Sequence, residues 1–257
     1  MPPSDIVLLL LGLHGSGKST FVKAATKENV QVQKKGDVNP STKSCKSYGT
    51  TIGGRDPSRK LKIIDTPGLA DTETAGENLK VLQQIANELR QLSSDRVSGV
   101  IYFHNIEPRR LSGVDLRNFK LLVAICGPQF FRNVAFVTTR WDCIGNDHLS
   151  GAEKRNLDIE KERASLLPGG PRIFKFLNDG RSHEPILQYF VRLVEDRNST
   201  PPLQFTRELE QYLQHSRSLD KAVERTTAGQ QLKKAEIRKR VGPGKNLAVL
   251  FKDRAVL

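Results

Sequence analysis

The sequence predicts an α/β domain with a mostly parallel sheet and helices on both faces. Three observations lead there. Short apolar runs of strand length alternate with longer stretches of helical periodicity. The octet Gly12–Ser19, GLHGSGKS, sits between such a run and a helix start. Asp65-Thr66-Pro67-Gly68 closes a second run, LKIID, and Thr138-Thr139-Arg140-Trp141-Asp142 follows a third, NVAFV.

The elements follow in order. Residues 6–11, IVLLLL, have the length and uniform apolarity of a strand buried on both faces. A helix over 20–27 follows the glycine loop. Residues 45–54 form a strand antiparallel to 61–65 across the RDPSRK turn. In 75–92, Leu79, Leu82, Ile85, Ala86 and Leu89 recur at helical spacing. Strands are expected at 99–104, 133–139 and 172–176, and helices at 114–126, 151–166 and 185–194. The NSTPP stretch at 198–202 breaks the pattern. It divides a domain of residues 1–200 from an extension of 201–257. That extension is helical over 203–227, with Leu209, Tyr212, Leu213, Leu219 and Val223 as its apolar face. Lys233, Lys234, Arg238, Lys239 and Arg240 then crowd together, and a mobile tail starts at Val241.

A formal net charge of +13 over 257 residues allows contact with nucleic acid or an anionic membrane. Aromatic residues do not interleave with the basic cluster, so stacking platforms for single strands are missing. The three cysteines are scattered and odd in number, which argues for reduced thiols and a cytoplasmic protein. No run approaches the ~18 apolar residues of a membrane span. The first apolar run has no basic segment before it, so a signal peptide is not expected. No histidine or cysteine spacing suggests zinc.

The octet fits G-x-x-x-x-G-K-[ST], the phosphate-cradling P-loop. Gly12, Gly15 and Gly17 let backbone amides turn inward onto phosphate, beside a helix N-terminus that favours anions. Lys18 reaches the β- and γ-phosphates, and Ser19 holds Mg²⁺. Asp65, at a strand end, steers the same ion, and the Gly68 amide reaches the γ-phosphate. Residues 69–76 would then order and disorder with that phosphate. Asp142 can accept from N1–H and the 2-amino group of guanine, a donor pair adenine lacks. Thr139 and Arg140 lie beside it, and Asn178 is placed to approach the base from the other side. His14 lies where it could touch phosphate or a partner subunit, but its side chain is expected to point outward.

With these motifs in order, the chain resembles the TRAFAC-class P-loop GTPases, and within them the septin-like branch of immunity-associated (avirulence-induced type) G domains, fungal members especially. The resemblance rests on GLHGSGKST, DTPGLADT, GVIYFHNI…NFKLLVAICG, VAFVTTRWD and IFKFLND, and spans about residues 5–195. It implies a six-stranded G domain that binds GTP and GDP with Mg²⁺, with His14, Ser16 and Thr20 also lining the phosphates, and a catalytic part for Lys18 and Gly68. Two departures stand out. Where the family pattern is S-C-T, this chain reads Ser44-Cys45-Lys46, so the threonine that the first switch offers to Mg²⁺ could be Thr42, Ser47 or Thr50. Leu69 stands where some small G proteins place a water-orienting glutamine. Positioning of the attacking water must then come from elsewhere, across a homodimer for example. Arg109 and Arg110 are candidates to act in trans.

Three functions remain open on the sequence. The first is a guanine-nucleotide switch with slow, Mg²⁺-dependent hydrolysis of GTP. The second is a GTP-binding assembly scaffold without significant turnover. The third, a P-loop ATPase or kinase, leaves Asp142 unexplained.

Overall fold

The computed structural model describes residues 5–32, 42–52, 59–69, 75–92, 96–107, 113–166, 172–196 and 200–241. Six strands form one sheet: β1 (Ile6–Gly12), β2 (Lys46–Ile52), β3 (Arg59–Asp65), β4 (Val97–Asn105), β5 (Val134–Thr139) and β6 (Arg172–Lys175). Their spatial order is β2-β3-β1-β4-β5-β6. The pairs β1–β3, β1–β4, β4–β5 and β5–β6 are parallel, with Leu9 opposite both Ile64 and Val100. β2 alone among them runs antiparallel, with Lys46 opposite Asp65 and Ile52 opposite Arg59.

β1 is buried along its whole length, and its period of two divides it between two cores. Val7, Leu9 and Leu11 face α2 (Ala75–Arg90) and α3 (Gly113–Cys126), meeting Leu82, Ile85, Phe119 and Leu122. Ile6, Leu8 and Leu10 face α1 (Lys18–Thr26) and α5 (Glu184–Glu195), meeting Phe21, Val22, Ile186 and Phe190. α4 (Asn146–Leu166) lies on the α2/α3 side through Ala152 and Ile159. It starts five residues before the expected boundary, because Asn146-Asp147-His148 open a helix without supplying apolar periodicity.

The stretch expected to be helical over 203–227 is two helices with a third following: α6 (Gln204–Leu213), α7 (Leu219–Arg225) and α8 (Thr227–Val241). Serine side chains cause the first break. The Ser218 amide donates to Ser216 Oγ, and the Lys221 amide to Ser218 Oγ, which opens α7. At the second break Thr226 Oγ1 donates to the Val223 carbonyl, and the Glu208 carboxylate accepts from the Thr227 amide. The three helices do not stand apart. Leu203, Phe205, Leu209, Val223, Ala228 and Leu232 enter the same core as α2 and α3. Among the described residues no helix is long and apolar enough to cross a membrane. The tail beyond 241, the 70–74 part of the expected switch, the Arg109–Arg110 loop, most of the RDPSRK turn, and the side chains of Arg238, Lys239 and Arg240 lie outside the described residues.

Candidate nucleotide site

The carboxyl ends of β1, β3 and β5 and the loop after β6 converge on one cleft, where ligands of open α/β sheets bind. His14, Gly15, Ser16, Gly17, Lys18, Ser19 and Thr20 line it from the P-loop. Gly68, Thr139, Arg140, Asp142 and Asn178 border the same space. Gly12 and Asp65 stand behind the lining. A side chain at Gly12 is excluded: its φ is +147°, and a Cβ would come within 2.5 Å of the Phe103 carbonyl oxygen. Lys18 is 5 % exposed, and its ammonium donates to the Gly12 and Leu13 carbonyls at 3.1 and 2.9 Å.

Three oxygen-bearing side chains meet beside Lys18. Asp65 Oδ2 accepts from Ser19 Oγ at 2.8 Å and from Thr42 Oγ1 at 3.3 Å, and the two hydroxyls are 3.0 Å apart. Asp65 is 1 % exposed, and its Oδ1 is buried without a hydrogen-bond partner. Burial raises its carboxyl above the ordinary range, opposed by Ser19, Lys18, Thr42 and Lys46. A buried carboxylate oxygen with no donor, next to two hydroxyls, is a hard-oxygen set that suits Mg²⁺. The residues therefore fit that ion, with Ser19, Asp65 and Thr42 to hold it.

The three candidates for the first-switch hydroxyl separate cleanly. Ser47 Oγ donates to Glu88, and Thr50 Oγ1 to the Ala25 carbonyl. Thr42 alone of the three reaches Asp65 and lines the cleft. Cys45 is a bystander, its thiol pushed up to about 12 by burial first and by Glu88 and Asp65 next. Thr42→Ala is expected to weaken Mg²⁺-dependent GTP binding about tenfold while GDP binding falls less, since one hydrogen bond is worth ~1 kcal/mol or more beside a charge. Titration of fluorescent nucleotides with and without Mg²⁺ checks this.

The base-side loops are tied to the phosphate loop. Thr139 Oγ1 donates to the Ser16 carbonyl at 2.8 Å, and Arg140 Nε to the Gly15 carbonyl at 3.3 Å. Arg140 and Asn178 both take left-handed backbone, with φ of 63° and 54°. Buried Trp141 anchors its turn through Nε1 to the Thr138 carbonyl. Asp179 folds the second loop by accepting from the Ser182 and Arg181 amides, which hold its carboxyl down at about 2. Val32 and Phe176 also line the cleft. The sequence reading missed both, because an apolar wall residue carries no chemical signature.

His14 lines the cleft where the chain after Asp65 passes the P-loop. A Cβ built on Gly68 would lie 2.6 Å from His14 Nδ1, so the ring leans over that glycine. The His14 amide donates to the Leu69 carbonyl, and the Leu69 amide to the Gly12 carbonyl. The segment after Asp65 is thus latched onto the P-loop.

The sequence pattern of the AIG1 family matches residues 6–157, more than half of the chain. The chain belongs to the AIG1 family. As an AIG1-family chain it is a P-loop G domain of the GTPase kind, and the ATPase or kinase alternative falls away. Comparison with curated proteins gives no match. Among solved structures, it is similar to Toc33 from Arabidopsis thaliana in complex with GDP and Mg²⁺, with a TM-score of 0.58 and 17% identity over 77% of this chain and 87% of that one. A dimerisation-deficient mutant of Toc33 gives 0.58 and 17% over 76% and 86%. A structure described as "Dimerization is important for the GTPase activity of chloroplast translocon components atToc33 and psToc159" gives 0.53 and 17% over 77% and 86%. These similarities establish the G-domain fold.

Proposed function

We infer that this AIG1-family chain is a guanine-nucleotide switch, slow to hydrolyse GTP alone and faster when two copies pair through the nucleotide face. One observation carries the reading. A single cleft holds the P-loop, the Ser19–Asp65–Thr42 oxygen cluster, and an aspartate on a loop hydrogen-bonded to that P-loop. Bound there, Mg²⁺ would neutralise developing charge on the β- and γ-phosphate oxygens. Lys18 adds a second fixed positive charge. Asp142 selects the base.

Slow intrinsic turnover follows from Leu69. Its side chain is 1 % exposed and packed in the core with Leu11 and Leu82, so it cannot orient water. Pairing is supported by the similar Toc33 structures, for which dimerisation is stated to matter to GTPase activity. The three free cysteines support a cytoplasmic setting. The latch of Leu69 onto Gly12 and His14 also favours the second reading, a GTP-bound scaffold. Phosphate release per molecule, measured over a range of protein concentration, separates the two. A rate that rises with concentration supports the switch. No release at the highest concentration, with GTP bound, supports the scaffold.

A further inference from the structure

We propose that the His14 imidazole is a catalytic residue of this chain, orienting the attacking water at the γ-phosphate in place of the absent glutamine. The proposal rests on the GTPase reading above and adds a residue to it. Two facts locate the gap. Leu69 occupies the position after Gly68 and is turned into the core. Its backbone is also fixed, with its amide on the Gly12 carbonyl and its carbonyl on the His14 amide.

His14 fills the same place from the other side. Its ring lies so close to Gly68 that a Cβ there would meet Nδ1 at 2.6 Å. The Gly68 amide is the expected γ-phosphate contact, which puts the imidazole at the γ end of the cleft. It is half-buried, on the lining itself, and carried by the P-loop. Around it, Lys18 is held on two carbonyls, and Ser19, Thr42 and one oxygen of Asp65 bond one another. Arg140, Asp142 and Asn178 belong to the base side. Imidazole can donate from one nitrogen and accept at the other, which suits a group that holds a water against a phosphate.

The step balances without a further reactant. The water oxygen forms a new bond to the γ-phosphorus. The bridging P–O bond breaks, and its electron pair leaves on GDP. Both water protons end on inorganic phosphate. His14 positions the water and needs no net proton change.

The test uses the full chain, with His14→Ala and His14→Gln. Two quantities are read: single-turnover GTP hydrolysis, and the gain in fluorescent-GDP affinity on adding aluminium fluoride, which mimics the transferring phosphoryl group. His14→Ala should slow hydrolysis about 10²-fold, the usual scale for losing a positioning group. It should also remove the fluoride-dependent gain while GDP affinity stays within about twofold. His14→Gln, an amide that also donates and accepts, should restore most of both. Hydrolysis at the parent rate in His14→Ala overturns the proposal. So does a parallel fall in GDP affinity that His14→Gln does not rescue, which would mark a structural role. If His14→Ala does not fold, a His14→Gln variant that folds with no hydrolysis and no fluoride response overturns it too. A parent chain with no hydrolysis at any concentration and no fluoride response overturns the switch reading, and this proposal with it.

Discussion

Lys18→Ala is expected to abolish GTP binding at concentrations where the parent chain saturates. The ammonium is the fixed positive charge of the phosphate end, and it is 5 % exposed on a loop that holds it by the Gly12 and Leu13 carbonyls. Two charge-assisted bonds to phosphate, each worth ~1.5–3 kcal/mol, disappear together. That is about 10²–10⁴ in Kd. The same substitution takes a donor from two loop carbonyls, so part of the loss could come from a disordered P-loop. Lys18→Arg keeps charge but presents a planar fork where a point charge fits, and it should recover little affinity. A melting curve separates the causes: an unchanged midpoint with lost binding assigns the effect to the phosphate contact. Unchanged GTP affinity in a folded Lys18→Ala chain would mean that the cleft is not where nucleotide binds.

Much of this site was legible because its signals are covalent spacings. A P-loop needs its glycines and lysine in fixed order, and a strand must deliver Asp65 beside it. Such constraints survive in one dimension. The split of β1 between two cores was equally readable, since uniform apolarity over strand length means burial on both faces. The choice among Thr42, Ser47 and Thr50 was not. It depends on which hydroxyl the approach to β2 brings within 3.3 Å of Asp65, and the other two find partners in Glu88 and Ala25. The breaks at Ser218 and Thr226 were hidden for a related reason. Hydroxyl side chains diverted backbone groups locally while the apolar spacing ran on unbroken. The place of the His14 ring was not legible either, because it depends on the close approach of Gly68, a contact made 54 residues along the chain.

Asp142→Asn is expected to exchange guanine for xanthine preference. The turn that presents this residue is fixed independently of the nucleotide. Trp141 is 7 % exposed, with its indole N–H on the Thr138 carbonyl and the Lys175 ammonium 4.7 Å over its ring. Thr139 and Arg140 fasten the preceding residues to the P-loop carbonyls of Ser16 and Gly15. An aspartate-to-asparagine change is nearly isosteric, so that frame should persist. What changes is one acceptor oxygen, which becomes an NH₂ donor. Guanine then faces donor against donor at its 2-amino group, at a cost of ~2–4 kcal/mol, or about 30- to 1000-fold in Kd. Xanthine carries a carbonyl at that position and accepts from the new amide, so its affinity should rise as guanine's falls. The reversal matters more than either number, because a merely loosened loop would weaken both bases together. Paired titrations with GTP, XTP and ATP read it directly. Equal GTP and ATP affinity in the parent chain, or a variant in which xanthine gains nothing, would remove Asp142 from base recognition.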